Sequence, residues 1–299
     1  MQVFYSDPFT FPLPPEHRFP LAKYRMLRER VGQLPASSGA ELVLAPRATR
    51  DELLTVHDPL YVDDFGAGRL DKLAMQRIGF PWSAELVERT LRSTGATIAA
   101  TRVALREGAA VHLAGGTHHA RRAQGAGYCV FNDCAVGARI AQLCGIERVL
   151  IVDTDVHQGD GTAAIFADDD SVFTFSIHGD RNFPSTKAVS DLDIALPTGT
   201  RDADYLAALA DGLLEACARS GPQMVFYLSG ADPHEGDRLG TLRISKAGLG
   251  TRDEMVLAAV QRLRVPCVTV MGGGYGKDIV DTVDVYFATV QAALAAADS

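Results

Sequence analysis

From residue 83 onward the apolar positions of the chain switch between two periods. Residues 83–108, SAELVERTLRSTGATIAATRVALREG, repeat apolar side chains every three to four positions and predict a long helix. The next run, AAVHLAG at 109–115, is short and stops at a Gly-Gly pair. Four further runs predict strands: RVLIVD (148–153), SVFTFSI (171–177), QMVFYLS (223–229) and PCVTVM (266–271). Helical periods fill the intervals at 132–145, 203–221 and 251–264, with a last helix near 285–297. The strand runs are rich in β-branched and aromatic residues and nearly continuous in apolar character. Such runs are buried on both faces, which predicts an α/β fold with a parallel sheet between two helix layers. The first 70 or so residues are Pro-rich and irregular, with one helix expected over 20–34. No repeat, low-complexity tract or charge block marks a linker, so residues 1–299 are expected to form one domain.

Composition narrows the class. Hydrophobic residues at 47% and charged residues at 22% are ordinary for a folded globular chain and leave no room for extended disorder. Lys and Arg number 29 against 37 Asp and Glu, a net charge of −8, which argues against nucleic acid as a partner and favours a cationic substrate. The N-terminus lacks a basic segment followed by an apolar one, and no apolar run approaches a bilayer-spanning length, so a cytoplasmic chain without membrane insertion is expected. Cys129, Cys134, Cys144, Cys217 and Cys267 are odd in number and lack C-x-x-C spacing, as reduced thiols mostly in the core would be.

Four of the five strand runs are followed by a polar cluster: GGTHHA after 109–114, TDVHQGDG after 148–153, GADPHEGD after 223–229 and GGGYG after 266–271. In a parallel sheet these clusters meet at the carboxyl edge, where ligands bind. Asp153, Asp155 and His157 alternate along an extended segment and can share a side. An isolated D-x-H is usually a turn with capping roles. With a third ligand from another strand end, for which Asp232 is the best candidate, Asp155 and His157 instead complete a hydrolytic zinc site. His118 and His119 follow a Gly-Gly turn and could supply a base and an electrostatic helper, each oriented by a carboxylate. Asp153 and Asp160 are the spare acids nearby. Tyr275 could aim its hydroxyl at a substrate oxygen, although a Tyr after glycines is more often an exposed turn residue. The G-G-G-Y-G-K run lacks the spacing of a phosphate loop.

Together, GGTHHA, GYCVFND, DTDVHQGDGT, SGADPHEGDRLG and GGGYG resemble the zinc-dependent histone deacetylase superfamily, and EGDRLGTLRIS looks most like its class IV branch. The resemblance runs from about residue 51 to about 290. It implies the arginase-deacetylase fold, with a mostly parallel eight-stranded sheet in a three-layer α/β/α arrangement, and removal of an acyl group from a lysine or similar amine. By position it implies Asp155, His157 and Asp232 as zinc ligands, the pairs His118–Asp153 and His119–Asp160, and Tyr275 as oxyanion donor. On that basis His119 is the base and His118 remains cationic. It further implies potassium at an inner site, Asp153 and Ser176 with backbone of Asp155, His157 and Ile177, and at an outer site near Phe166, Asp169 and Val172. The substrate-channel walls map to Gly127, Tyr128, Phe183 and Leu239. Tyr128 stands where Phe is commoner, and DRNFPST replaces a Pro-Gly-rich lip. The class IV likeness implies fatty acyl groups over acetyl, with Gly240 and Thr241 expected to leave room at the channel base.

Three other readings compete. A ureohydrolase on the same fold needs further carboxylates where this chain has Gly159 and Gly230. An inactive binding module would lack a ligand or Tyr275, and all are present. An acylpolyamine or other small-amine amidohydrolase would use the same residues as a lysine deacylase.

Overall fold

The computed structural model describes residues 1–297; the last two residues of the expected domain lie outside them. Eight strands form one sheet: β1 (Gln2–Tyr5), β2 (Glu41–Leu44), β3 (Ala109–His112), β4 (Val149–Asp153), β5 (Val172–Gly179), β6 (Leu192–Leu196), β7 (Met224–Ser229) and β8 (Cys267–Met271). Their order is β2-β1-β3-β8-β7-β4-β5-β6 and every pairing is parallel. Among the described residues ten α-helices surround the sheet: α1 (Ala22–Val31), α2 (Arg50–Leu54), α3 (Pro59–Gly66), α4 (Lys72–Ile78), α5 (Ala84–Glu107), α6 (Asp133–Leu143), α7 (Asp160–Phe166), α8 (Asp202–Ser220), α9 (Lys246–Leu263) and α10 (Ile279–Ala297).

Strand alternation divides the core into two layers. Ile151, Phe226 and Val268 face the side covered by α5, α6 and the short helices. Leu150, Val152, Val225 and Tyr227 face α8, α9 and α10. Both faces are therefore dry, which explains why β4, β5, β7 and β8 show no polar alternation. Helix α5 starts where the Ser83 side chain accepts from the Leu86 amide, and α6 where Asn132 accepts from Ala135. Helix α10 is apolar and long enough to cross a membrane by composition alone. In the fold Val283, Tyr286, Val290 and Leu294 are buried, and the helix packs against α1 and α9.

Three strands escape the apolar pattern. β1 and β2 have four residues each and lie in the segment expected to be irregular. β6 is an edge strand with two exposed positions, and β2 forms the opposite edge with both ends exposed. Edge strands bury one face or less, so they lack the continuous apolar signature. The segment after β2 lies directly on α5: a Cβ added at Gly95 would stand 2.1 Å from the Pro46 carbonyl oxygen and 2.7 Å from the Ala48 nitrogen. Gly95→Ala should raise helix propensity by about 1 kcal/mol yet lower net stability by about 1–3 kcal/mol, because backbone must move to admit the methyl. The urea unfolding midpoint, at constant slope, measures this; an unchanged or higher midpoint would show that the segment yields freely.

Candidate active site

Parallel pairing brings all the polar clusters to one edge. In register, Asp153 at the end of β4 lies between Leu228 of β7 and Ser176 of β5, so the segments after β4 and β7 leave the sheet side by side. Asp155, His157 and Asp232 converge there, with ligating atoms all within 4.8 Å of one another. His157 Nδ1 lies 2.9 Å from Asp155 Oδ1 and 3.2 Å from Asp232 Oδ2. Backbone amides fix the carboxylates: Val156 donates to Asp232 Oδ1 and Asp155 donates to Asp153 Oδ1. Among the described residues, Asp232 Oδ2 is buried and accepts no hydrogen bond, with the His157 imidazole beside it. Burial, with the Asp155 charge beside it, pushes Asp232 up to about 7. Burial opposes a charge on His157, but the Asp155 and Asp232 carboxylates outweigh it and hold the imidazole up at about 10. Two carboxylates crowded on one imidazole, with an orphaned oxygen among them, form a donor set suited to a divalent cation.

Glycines let backbone approach this cluster. The Gly273 amide donates to Asp155 Oδ2, and a Cβ there would lie 2.0 Å from Asp232 Oδ2. A Cβ at Gly159 would lie 2.4 Å from Asp153 Oδ2, and one at Gly230 would lie 2.8 Å from Asp155 Oδ2. Neither position has room for the further carboxylate that a second metal would need.

His118 Nδ1 stands 2.6 Å from Asp153 Oδ2, and His119 Nδ1 stands 2.7 Å from Asp160 Oδ1, whose other oxygen accepts from Arg121. The rings are 4.1 Å apart, yet their surroundings tune them oppositely. Burial opposes the charge on His118, but Asp153 and Asp155 overcome it and hold the ring up at about 9. For His119 burial wins with help from the His118 charge, and its pKa falls to about 3 despite Asp160. The loop carrying both is held by residues that sequence reasoning passed over. Asp133 accepts from the Thr117 amide and hydroxyl and from the Gly116 amide, while the Asn132 amide group donates to the Ala120 carbonyl. The signal was the polar Asn-Asp pair closing an apolar run just before α6.

Tyr275 is buried, and its hydroxyl has no hydrogen bond among the described residues; burial pushes its pKa well up, so it stays a donor. Its backbone amide donates to Asp237, whose second oxygen accepts from the Leu239 and Gly240 amides. Lys23, also missed, reaches from α1 to donate to the Gly274 carbonyl and lies 5.1 Å from the Tyr275 ring centroid. Behind Asp232, Arg252 of α9 binds the Gly230 carbonyl, the Ser229 hydroxyl and Asp253.

Gly127, Tyr128, Phe183 and Leu239 line one cavity that reaches His118, His119, Asp155 and His157. Phe183 stands edge-on to the His119 ring at 4.8 Å, and Tyr128 holds φ at +67° with its amide donating to the Ile78 carbonyl. Gly240 and Thr241 do not line this cavity, contrary to the sequence expectation. Thr241 donates to Asn182 Oδ1, and a Cβ at Gly240 would lie 2.0 Å from the Asp232 carbonyl. Ser176 Oγ lies 3.0 Å from His178 Nδ1, and the adjacent Ile177 is buried in the core. Phe166, Asp169 and Val172 share one turn between α7 and β5, where Arg139 ion-pairs with Asp169 at 2.6 Å and stacks over Phe166. Cys129, Cys134 and Cys267 are buried, Cys217 is half-buried and Cys144 is exposed, all as free thiols.

Asp232→Asn should lose most bound divalent metal while the fold, read by circular dichroism, survives. In the native chain a cation must displace the proton that the two carboxylates hold on His157. Since that raised pKa keeps the proton in place below about 10, metal affinity should rise by about tenfold per pH unit for each proton released. Calorimetry in buffers of different ionisation enthalpy counts the protons; full metal binding by Asp232→Asn would remove it as a ligand.

The histone deacetylase domain family matches residues 17–290. The chain is 45% identical over 282 residues to an uncharacterised protein of Picosynechococcus, covering 94% of each. It is 29% identical over 248 residues to histone deacetylase 2 of Arabidopsis thaliana, which spans 77% of this chain and 62% of that protein. The crystal structure of an HDAC homologue from Aquifex aeolicus aligns with a TM-score of 0.82 at 23% identity, over 98% of this chain and 83% of that one. With its site built on the eight-stranded parallel sheet and the family match running through nearly all of it, the chain belongs to the histone deacetylase domain family and is a hydrolase.

Proposed function

We propose that this chain is a zinc-dependent lysine deacylase, cleaving the amide between an acyl group and a lysine side chain in a protein or peptide, in the cytoplasm. The observation that carries the reading is a geometric one: two adjacent imidazoles, each held through Nδ1 by a carboxylate, stand beside a three-ligand cluster. Asp155, His157 and Asp232 would hold the zinc, which when bound would act as a Lewis acid and lower the pKa of water to about 7.

The protein's own groups carry the protons and the charge. His119, neutral and fixed through Nδ1 by Asp160, accepts a proton from the attacking water and returns it to the lysine nitrogen as the C–N bond breaks. His118 stays cationic under Asp153 and faces the oxygen that becomes negative. Tyr275 donates its free hydroxyl to that oxygen. Phe183 and Tyr128 wall the channel for the lysine stem, and Leu239 narrows it. Potassium belongs to the same reading at Asp153 and Ser176; at the outer position Arg139 already supplies a positive charge beside Asp169.

Tyr275→Phe removes one hydroxyl and should cut kcat by at least about 100-fold with unchanged metal content. His119→Ala should be more damaging than His118→Ala, since only His119 is neutral and able to take a proton; the reverse order would exchange their roles.

The class IV likeness favours long acyl chains, and the same cavity is also lined by Phe11, Phe19, Ile78 and Phe80, walls that suit methylenes. Each buried methylene contributes about 0.8 kcal/mol. For lysine peptides bearing acetyl, butyryl, octanoyl and myristoyl groups, KM should therefore fall with chain length. A kcat/KM highest for acetyl and dropping with each methylene would leave a simple deacetylase, and faster cleavage of acylpolyamines than of any peptide would move the substrate to small amines.

A further inference from the structure

The lip segment DRNFPST at 180–186 carries Phe183, whose ring is 47% exposed and stands 4.8 Å from the His119 ring. A ring so open is held less by packing than by the backbone that carries it. Two side chains hold that backbone. Lys187 donates to the carbonyls of Asn182 and Pro184, on either side of Phe183. Asn182 is 4% exposed and directs its carboxamide to the turn that carries Leu239. Its Nδ2 donates to the Leu239 carbonyl at 2.8 Å, and its Oδ1 accepts from the Thr241 amide at 3.2 Å and the Thr241 hydroxyl at 2.6 Å. Only this orientation of the carboxamide serves, because a carbonyl takes a donor and an N–H takes an acceptor. Gly179 makes room for it: a Cβ there would lie 2.3 Å from Asn182 Oδ1 and 2.7 Å from Thr241 Oγ1.

The Leu239 turn is itself fixed to the metal cluster. A Cβ at Gly240 would lie 2.0 Å from the Asp232 carbonyl, and Asp237 accepts from the Leu239 and Gly240 amides as well as from the Tyr275 amide. Asn182 thus extends a chain of contacts from Asp232 and Tyr275 to Phe183. Phe183 and Leu239 line the same cavity as His119, Asp155 and His157. With the carboxamide in place, hydrogen bonds set the position of one wall residue against the other, and walls so held yield little to a wider guest.

We propose that Asn182 is a specificity-determining positioning residue. By fixing Phe183 against Leu239 it restricts the channel to amides of amines carried on a slim, unbranched methylene stem and rejects amines carried on a broad stem such as a phenylene ring. The proposal rests on the deacylase reading and specifies the amine side of its substrate.

Binding to the metal-loaded protein tests this without turnover. Two peptides carry a hydroxamate, which chelates divalent metals, at the end of one side chain; the stem is a methylene chain in one and a phenylene ring in the other. By calorimetry, wild type should bind the methylene-stem peptide at least about tenfold more tightly, as a rigid pocket discriminates by shape. In Asn182→Ala that preference should fall at least about fivefold, since the hydrogen bonds that join the walls are lost. Thr241→Val keeps the shape but not the hydroxyl donor and should lower the preference too, whereas Thr241→Ser keeps the donor and should retain it. A merely structural role would weaken both peptides equally and leave the preference unchanged. That result in a folded, metal-loaded Asn182→Ala overturns the proposal, as does a wild type that binds both peptides alike. If Asn182→Ala does not fold, Thr241→Val with the wild-type preference overturns it equally. The kcat/KM ratio for acetyl-lysine and 4-(acetamidomethyl)phenylalanine peptides should fall in parallel in Asn182→Ala, and an unchanged ratio also overturns it. A chain that discriminates between the hydroxamates through Asn182 but cleaves no acyl-lysine peptide loses the deacylase reading and keeps this role for Asn182. Neither hydroxamate binding to the metal-loaded wild type refutes both.

Discussion

Three carboxylates, Asp153, Asp155 and Asp232, are buried within one corner of the sheet edge, and the surrounding structure is organised by the need to compensate them. Buried negative charge is tolerated only when hydrogen-bonded or paired. The amides of Asp155, Val156, His157 and Gly273 point at these oxygens, and His118 and His157 supply positive charge. Asp232 Oδ2 accepts no hydrogen bond and shares the one His157 imidazole with Asp155. That excess of carboxylate over positive charge is what makes the corner a place for a cation rather than a packed turn.

The same charges set the two imidazoles apart. His118 lies against Asp153 and within 3.9 Å of Asp155, and becomes a cation. His119 has only Asp160, which is shared with Arg121, and it also feels the charge of His118, so burial prevails and it stays neutral. Neighbouring residues of one type thus acquire different work from their distances to carboxylates alone.

Holding such a site requires rigid backing, supplied by polar groups buried between helices and strand ends. Arg252 and Asp253 tie α9 to the end of β7, with Tyr227 and Thr289 completing the network. Asp133 holds the turn before His118, and Asp237 joins the Leu239 and Tyr275 loops. Tyr128 keeps a left-handed backbone conformation next to the site, a local strain sustained by the amide bonds of residues 127 and 128 to the end of α4.

The sequence by itself determined the strands that are buried on both faces, because burial on two sides leaves an uninterrupted apolar run, as in VLIVD of β4. It also determined the chemistry at their ends, because polar residues such as Asp155, His157 and Asp232 recur directly after such runs, where a parallel sheet must gather them. The edge strands β2 and β6 and the four-residue β1 were not legible, since strands that short or half-exposed carry no distinctive period. Tertiary structure alone decided that Gly240 and Thr241 turn away from the cavity while Phe11, Phe19 and Phe80, from segments without a strong pattern, wall it. It alone placed Lys23, Arg89 and Arg252 in the interior. A lone cation in a helical pattern reads as surface, and only the packing of distant segments reveals whether its charge meets solvent, a partner or an enclosed chamber.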